Sequence, residues 1–249
     1  EFIKKTKPSN IIIENVPQIL KFSINIDGKS VKILDYVLQE LEPLGYYVNY
    51  SVADAADYGT PQTRKRAIFL ISNIKKWEFP KKMEKITVRD VIGELPSLES
   101  GEKSDIPLHY AKKHAERHVL WMKHTPTGET AFNNEKYYHQ KEDGARIKGY
   151  NTTYKRIEWD KPAPTVTMCN GAVSSQNNVH PGRELDDGTY SDARVLSILE
   201  IIRLSGLPDD WNIPDWATEN LIRQVIGEGF PPKFSEKLLE TMKQKKKDL

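Results

Sequence analysis

The sequence predicts an α/β protein in which a small sheet domain is joined to a long, irregular polar region. Residues 11–13 are three isoleucines and residues 67–71 are Ala-Ile-Phe-Leu-Ile, and short apolar runs of this kind predict buried strands. Between them, apolar residues recur at helical spacing from Val31 to Leu44. Residues 87–192 are instead rich in Asn, Gly, Thr, Tyr, Lys and His, which predicts little core and much polar surface.

The elements follow in order along the chain. The first strand ends at Glu14-Asn15, a helix covers 29–44 and stops at Gly45, a second strand covers 46–53, and turn residues at 57–61 precede the strand at 67–71. Helical spacing recurs later in the chain, at 110–124, at 193–204 and in a pair of helices over 220–242 that is broken at 227–232. The basic tail 243–247 is expected to be a solvated end.

Composition excludes several classes of protein. The 249 residues are 38% hydrophobic with a net charge of +2, so affinity for nucleic acid would have to come from local basic patches. A single cysteine, Cys169, excludes an internal disulfide framework and a cysteine-rich metal site. There is no apolar run long enough to span a bilayer and no secretory signal, so we expect no membrane association and a cytoplasmic location.

Two polar segments carry the candidate chemistry. Glu14-Asn15 ends a strand, and the turn at 57–61 precedes Gln62, Arg64 and Arg66. Each segment alone is also compatible with an ordinary turn or a solvated basic loop. The intervening strand–helix–strand can, however, bring both segments to one edge of a sheet, where α/β proteins place their active sites.

Several segments together resemble the DNA cytosine-5 methyltransferase family. The motifs are, in family order, IIIENV, ADYGTPQTRKRAIFL, RVLSILEIIRLSGLPDDW and QVIGEGFPP, with weaker matches in VRDVIGELP and WDKPAPTVT. The resemblance implies a partial Rossmann-like class I methyltransferase domain plus a smaller irregular, mostly β target recognition domain. We assign residues 1–78 to the catalytic domain, 79–192 to the recognition domain, and 193–249 to helices that return to the catalytic domain.

The resemblance also implies roles for the residues of the first two motifs. In this family a cysteine thiolate adds to C6 of cytosine, which activates C5 toward the methyl group of S-adenosylmethionine. Glu14 would face N3 of the base and donate or share a proton, which a water-poor pocket would favour. Asn15 would orient the loop or bind the exocyclic amine. Arg64 and Arg66 would lie near the base O2 and a phosphate, in an order that the sequence leaves open.

Two family motifs are missing from this sequence, the FxGxG loop of the cofactor site and the Pro-Cys nucleophile. Cys169 follows a methionine, so we expect it to be a small residue of the recognition domain. A complementing N-terminal chain that carries both motifs, or a fragment of a longer enzyme, explains this pattern better than a decayed gene. The S-adenosylmethionine site would then lie mostly outside this chain, which would supply Gly227, Glu228 and Gly229 at its rim. Glu228 stands where the family usually has Asn.

The middle region would contact double-stranded DNA while the target cytosine is flipped out. We expect contacts to DNA from these side chains: Gln62, Thr165, Asn170, Ser175, Gln176 and Asn177 for the bases, and Arg146, Lys148, Lys155 and Arg156 for phosphates. His114 and His118 have the spacing of metal ligands, but no third ligand is visible and we expect no metal.

The predicted function is that of a part of an S-adenosylmethionine-dependent DNA cytosine-5 methyltransferase of bacterial restriction–modification or phage type. Two alternatives stay open. One is a non-catalytic DNA-binding specificity subunit that has kept the fold. The other is a tRNA cytosine-5 methyltransferase, because a related branch shares these motifs.

Overall fold

A computed structural model of the protein describes residues 1–243 and divides them into two compact units. The first unit consists of residues 1–58, 64–84 and the described residues from 233 onward, and the second of residues 59–63 and 85–232. Residues 244–247 of the predicted basic tail lie outside the described residues. Within residues 1–243, no helix is both long and apolar enough to cross a bilayer.

Each unit has its own set of elements. The first contains α1 (Phe2–Thr6), β1 (Asn10–Asn15), β2 (Ser23–Ile26), β3 (Lys29–Lys32), α2 (Ile33–Leu41), β4 (Tyr47–Asp54) and β5 (Lys65–Ser72). The second contains α3 (Val88–Ile92), α4 (Glu116–Lys123), α5 (Ile198–Leu204) and α6 (Glu219–Glu228). Helix α7 (Pro232–Lys243) begins at the last residue of the second unit and continues in the first.

The main sheet has three strands in the order β1-β5-β4, and β5 is antiparallel to both neighbours. The register pairs Asn15 with Ala67 and Ala53 with Arg66, so the carboxyl ends of β1 and β4 flank the start of β5. Strand β5 is almost entirely buried because it is the central strand, which explains its continuous apolar run. This register places Glu14 and Arg66 together at one edge of the sheet, as predicted for these two residues.

The helix predicted over 29–44 is shorter in the structure. Residues 23–32 form the hairpin β2–β3, and only 33–41 are α-helical. Asp27 and Gly28 have φ angles of 48° and 79°, which is the left-handed geometry that a two-residue hairpin turn requires. The Asp-Gly pair is therefore a turn signal, and it determines the structure around Val31 more strongly than the helical spacing of that residue does.

The core of the second unit explains why the predicted domain limits are wrong for residues 193–232. Helix α5 begins at a capping box formed by Ser197 and Glu200, five residues later than predicted. Its apolar residues pack in one buried cluster with Val88, Ile92 and Ile157. Residues 193–232 therefore belong with the polar middle region and not with the sheet.

The expectation that the middle region is mostly β is also wrong. Within the described residues 85–232 the pairing is limited to isolated bridges, such as Lys103 with Tyr110 and Thr153 with Gln176. The predicted helix over 110–124 shrinks to Glu116–Lys123 because Tyr110 pairs in one of these bridges. Frequent Gly, Pro and Asn residues interrupt longer ladders here.

A buried ionic network holds the second unit together. The Arg194 guanidinium donates to both carboxylate oxygens of Glu200, at 2.8 and 2.9 Å, and to Asp192 Oδ1 at 2.9 Å. All three side chains are fully buried. Burial alone would raise the pKa of Glu200, but the Arg194 charge beside it holds that pKa at about 2. The network is therefore ionised at neutral pH, and it depends on every member being present.

Two histidines, the buried His180 and the partly buried His114, make the second unit sensitive to acid. His180 Nδ1 accepts from the Gly182 amide at 3.1 Å, and His114 Nε2 accepts from the Val195 amide at 3.2 Å, so each ring must be neutral at that nitrogen. Burial, together with the nearby Arg194 charge, lowers the pKa of His180 to about 3. Burial, together with Lys112, lowers that of His114 to about 4.

We expect the free energy of unfolding to fall as the pH drops below about 6.5, where histidines in the unfolded chain take up protons that the native chain excludes. For His180 the loss is about 1.4 kcal/mol per pH unit, and His114 adds to it in the same direction. Urea unfolding between pH 7 and 4.5 measures this slope. A His180→Gln variant should have a shallower slope, and an equal slope would contradict the assignment.

Candidate functional site

The first part of the candidate site is an ion pair at the end of β1. Arg66 Nε lies 2.6 Å from Glu14 Oε1 because β1 and β5 are neighbours in register. The Arg66 side chain is 16% exposed and that of Glu14 is 37% exposed. Glu14 is therefore accessible to a ligand and held in place by a guanidinium. Its surroundings are more exposed to solvent than the water-poor pocket expected for a proton donor.

Arg64 adds a second guanidinium at the same edge of the sheet. The residue is 6% exposed, and its backbone amide donates to Asp54 Oδ1 at 2.9 Å. Burial, with the Arg66 charge next, lowers the pKa of Arg64 to about 10, so it remains charged at neutral pH. Asp54 also accepts from the Ala56 amide, at 3.2 Å. This positioning carboxylate was not predicted, although an acidic residue at a strand end before a turn is a visible signal in the sequence.

Asn15 turns back onto its own backbone. Its side-chain Oδ1 accepts from the Val16 amide at 2.8 Å, and the residue is exposed. Its predicted loop-orienting role agrees with this hydrogen bond, and its predicted role on an exocyclic amine stays a prediction. Together, the edge presents one carboxylate and two guanidinium groups, which suits proton sharing and the binding of an anionic oxygen.

In the second unit, Gln62 serves as an anchor. It is 2% exposed, its Oε1 accepts from the Val166 amide at 3.2 Å, and its Nε2 lies 3.4 Å from the Ser205 hydroxyl. Thr165 Oγ1 donates to the Thr63 carbonyl at 2.7 Å. These bonds join the loop at 59–63 to the Pro-Ala-Pro-Thr segment of the same unit. The prediction that Gln62 contacts DNA is wrong because its amide is used inside the unit.

The predicted base-contacting loop contains two kinds of residue. Asn170 is buried, donates to the Thr167 carbonyl at 2.7 Å and accepts from Arg223 at 3.0 Å, so its predicted contact to a base is wrong. Gln176 is exposed, while Ser175 and Asn177 are partly buried. Those three remain candidates for contact with bases.

The residues predicted to contact phosphates also differ in burial. Arg156 is fully buried and donates to backbone carbonyls, which include those of Met122, His180 and Ser191 at 2.8 to 2.9 Å. Its predicted phosphate contact is wrong, because a guanidinium surrounded by carbonyls is a structural cross-link. Lys148 is exposed and Lys155 is partly buried, so both stay available to a phosphate.

Comparison with known proteins assigns the chain to a family. The profile of the C-5 cytosine-specific DNA methylases matches residues 1–244. The chain belongs to this family. Type II methyltransferase M1.HgaI of Avibacterium volantium is 52% identical over 239 residues, covering 95% of this chain and 66% of that protein. Type II methylase M.HgiDII of Herpetosiphon aurantiacus is 29% identical over 256 residues, covering 97% of this chain and 66% of that protein.

A solved structure has a similar fold. A protein assigned as a DNA modification methyltransferase encoded within an E. coli prophage superposes with a TM-score of 0.62 at 19% identity, covering 97% of this chain and 70% of that one. At this identity the likeness concerns the α/β methyltransferase fold alone. The chain thus spans slightly less than two thirds of the length of the two curated methylases that it matches.

Methylases of this family use S-adenosylmethionine. The three residues expected at the rim of the S-adenosylmethionine site provide few groups that could bind it. Gly227 is buried, and a Cβ there would lie 2.3 Å from the Thr167 carbonyl oxygen, so close packing already explains the glycine. Glu228 is exposed and accepts from Gln224 at 3.0 Å. Gly229 is exposed beside it. These three residues alone do not form a cofactor pocket.

The two histidines with metal-ligand spacing have other partners in this chain. His114 accepts from the Val195 amide, and the His118 ring lies 5.2 Å from that of Trp121. In the described part of the chain, no group of three or more His, Cys, Asp or Glu side chains is placed to hold a metal ion.

Proposed function

We propose that this chain provides the base-activating edge and the DNA-contacting region of an S-adenosylmethionine-dependent DNA cytosine-5 methyltransferase that acts on duplex DNA. The observation that carries the proposal is the Glu14–Arg66 pair at the end of β1, with Arg64 buried beside it, in a chain of the C-5 methylase family. The cofactor, when bound, supplies the methyl group. The residues of this chain bind, orient and polarise the cytosine.

Each group of the edge has a defined task in that reaction. Addition of a thiolate to C6 pushes electron density onto N3 and O2 of the ring, and a positioned acid at N3 favours this addition. Glu14 shares a proton with N3. Arg66 fixes the direction of the Glu14 carboxyl group, and the Arg64 guanidinium offers hydrogen bonds to an anionic oxygen. After the methyl group is added, C5 gives its proton to water and the thiolate leaves C6, which re-forms the C5–C6 double bond.

The nucleophile comes from outside these 249 residues. The one cysteine, Cys169, is exposed and belongs to the second unit. Strand β1 has a neighbour on one side only within the described residues, and its three isoleucines are only partly buried. An apolar edge strand of this kind favours pairing with a further strand. A polypeptide that carries the FxGxG and Pro-Cys motifs would pair there.

Reconstitution tests this proposal. The purified chain is expected to transfer no methyl group to DNA, and mixing it with a polypeptide that carries the FxGxG and Pro-Cys motifs of a family member should restore transfer of a labelled methyl group. Cys169→Ser should leave the restored activity unchanged. Methylation by the chain alone would contradict the proposal, and sequence-specific binding without any transfer after mixing would favour a non-catalytic specificity subunit.

Contacts to bases and contacts to phosphates are expected to differ in their effect on binding. Gln176→Ala should relax the preference for the target duplex, because a side-chain amide forms hydrogen bonds with base edges. Lys155→Ala should weaken binding to all duplexes alike and reduce the salt slope by about one unit. Binding of the reconstituted enzyme to target and scrambled duplexes across a salt series separates the two effects. The reverse pattern would exchange the two roles.

A further inference from the structure

A small exposed hairpin extends from the second unit at residues 139–147. Gln140 pairs with Arg146, the Ile147 amide donates to the His139 carbonyl at 2.9 Å, and the Lys141 amide donates to the Ala145 carbonyl at 2.9 Å. Every residue from 140 to 146 is exposed. We call this segment the 139–147 hairpin. From the sequence alone, a single phosphate contact is expected in this hairpin, from Arg146.

Aromatic rings hold the two ends of the hairpin in place, where it joins the rest of the unit. The His139 ring stacks on Trp121 with centroids 4.8 Å apart and makes an edge contact with Tyr154 at 5.9 Å. The Arg146 guanidinium lies 3.6 Å from the Tyr138 ring centroid and donates to the Phe132 carbonyl at 2.7 Å. Contacts with aromatic rings therefore position the two ends of the hairpin, whereas the residues at its tip pack against no other part of the described chain.

The shape of this hairpin suits a DNA groove. A two-stranded ribbon fits the major groove of B-form DNA. Within the hairpin, two basic side chains, Lys141 and Arg146, balance two acidic ones, Glu142 and Asp143, and Lys148 follows directly after it. Both acidic residues lie in the turn at the tip.

The two carboxylates at the tip have different surroundings. Asp143 Oδ1 accepts from the Ala145 amide at 2.9 Å and so forms part of the turn. For Glu142 the described residues provide no hydrogen bond or ion pair, and the side chain is exposed. A carboxylate near the DNA backbone is repelled by phosphates, whereas in the major groove it can accept from the amino group at N4 of cytosine.

We infer that the 139–147 hairpin enters the major groove of the DNA target and that Glu142 is a specificity-determining residue, accepting a hydrogen bond from the N4 amino group of a cytosine. Lys141 and Lys148 contact phosphates on the two sides of the groove. This inference rests on the proposed function, since it concerns the duplex that the complete enzyme methylates.

The test uses the reconstituted enzyme and a pool of duplexes with randomised sequence, sequenced after methylation to determine the preferred target. Glu142→Ala should reduce discrimination at one C·G base pair by about 5- to 150-fold and leave the other positions unchanged. Asp186→Ala, an exposed acidic residue in a different turn of the same unit, is the matched control and should change no position. Thermal unfolding of both variants should match that of the parent chain.

Lys148→Ala provides a second measurement on the same hairpin. It should lower binding to every duplex alike and reduce the salt slope by about one unit. If the enzyme methylates DNA and Glu142→Ala leaves the preferred target unchanged at every position, the inference is overturned and the proposed function stands. If the reconstituted enzyme methylates no duplex in the pool, the proposed function and the inference both fail.

Discussion

Glu14→Gln in the reconstituted enzyme is expected to lower the rate of the chemical step by about 10²–10⁴-fold, the usual contribution of general acid–base catalysis. The amide keeps the size of the side chain but cannot share a proton with N3. Because Glu14 lies at an exposed sheet edge and not in the core, the fold should be unaffected. Binding of duplex DNA should change little.

Single-turnover methyl transfer measures this prediction, since it separates the chemical step from product release. Glu84→Gln, at an exposed glutamate of the same unit, is the matched control and should retain the full rate. Arg66→Lys keeps the charge but loses the guanidinium that contacts Glu14 at 2.6 Å, and we expect an intermediate loss. Weak DNA binding with a normal single-turnover rate in Glu14→Gln would instead make Glu14 a structural residue.

Arg194→Met is expected to destabilise the second unit by about 3–5 kcal/mol, because it leaves Glu200 buried without its guanidinium partner and leaves Asp192 with Arg183 alone. Urea unfolding followed by tryptophan fluorescence measures the change. The double variant Arg194→Met with Glu200→Met should lose less than the sum of the two single losses, because it removes both the cation and the carboxylate that would be left uncompensated.

An exposed ion pair provides the control for the buried network. Lys161 and Glu158 pair at 2.8 Å with side chains 66% and 43% exposed, so Lys161→Met should change the free energy of unfolding far less than Arg194→Met. Equal losses in the two variants would show that the buried network contributes no more than a surface pair. Strictly additive losses at Arg194 and Glu200 would show that the two residues are not coupled.

The sheet edge could be predicted from the sequence because each of its determinants is local. A run of three isoleucines specifies β1, a longer apolar run specifies β5, and polar residues at their ends mark the site. Glu14 and Arg66 meet because two neighbouring strands place them in register, which the order of elements already suggested.

The second unit could not be predicted to the same extent, because its polar residues look alike in sequence and differ in burial. Arg156 and Lys155 are neighbours in a basic pair, yet only Arg156 is enclosed by backbone carbonyls. Asn170 and Gln176 lie in one polar loop, yet Asn170 is used inside the fold. Tertiary packing decides between a cross-link and a DNA contact, and no residue pattern encodes it.

Trapping the covalent intermediate tests the central claim most directly. With 5-fluorocytosine in the target duplex, the thiolate can add to C6 and the methyl group to C5, but no proton remains at C5 to be lost, so the thioether bond to the protein persists. Mass spectrometry then identifies the polypeptide attached to DNA. We expect the DNA on the Pro-Cys cysteine of the complementing polypeptide, with the yield strongly reduced by Glu14→Gln. A DNA adduct on Cys169 of this chain would contradict the account.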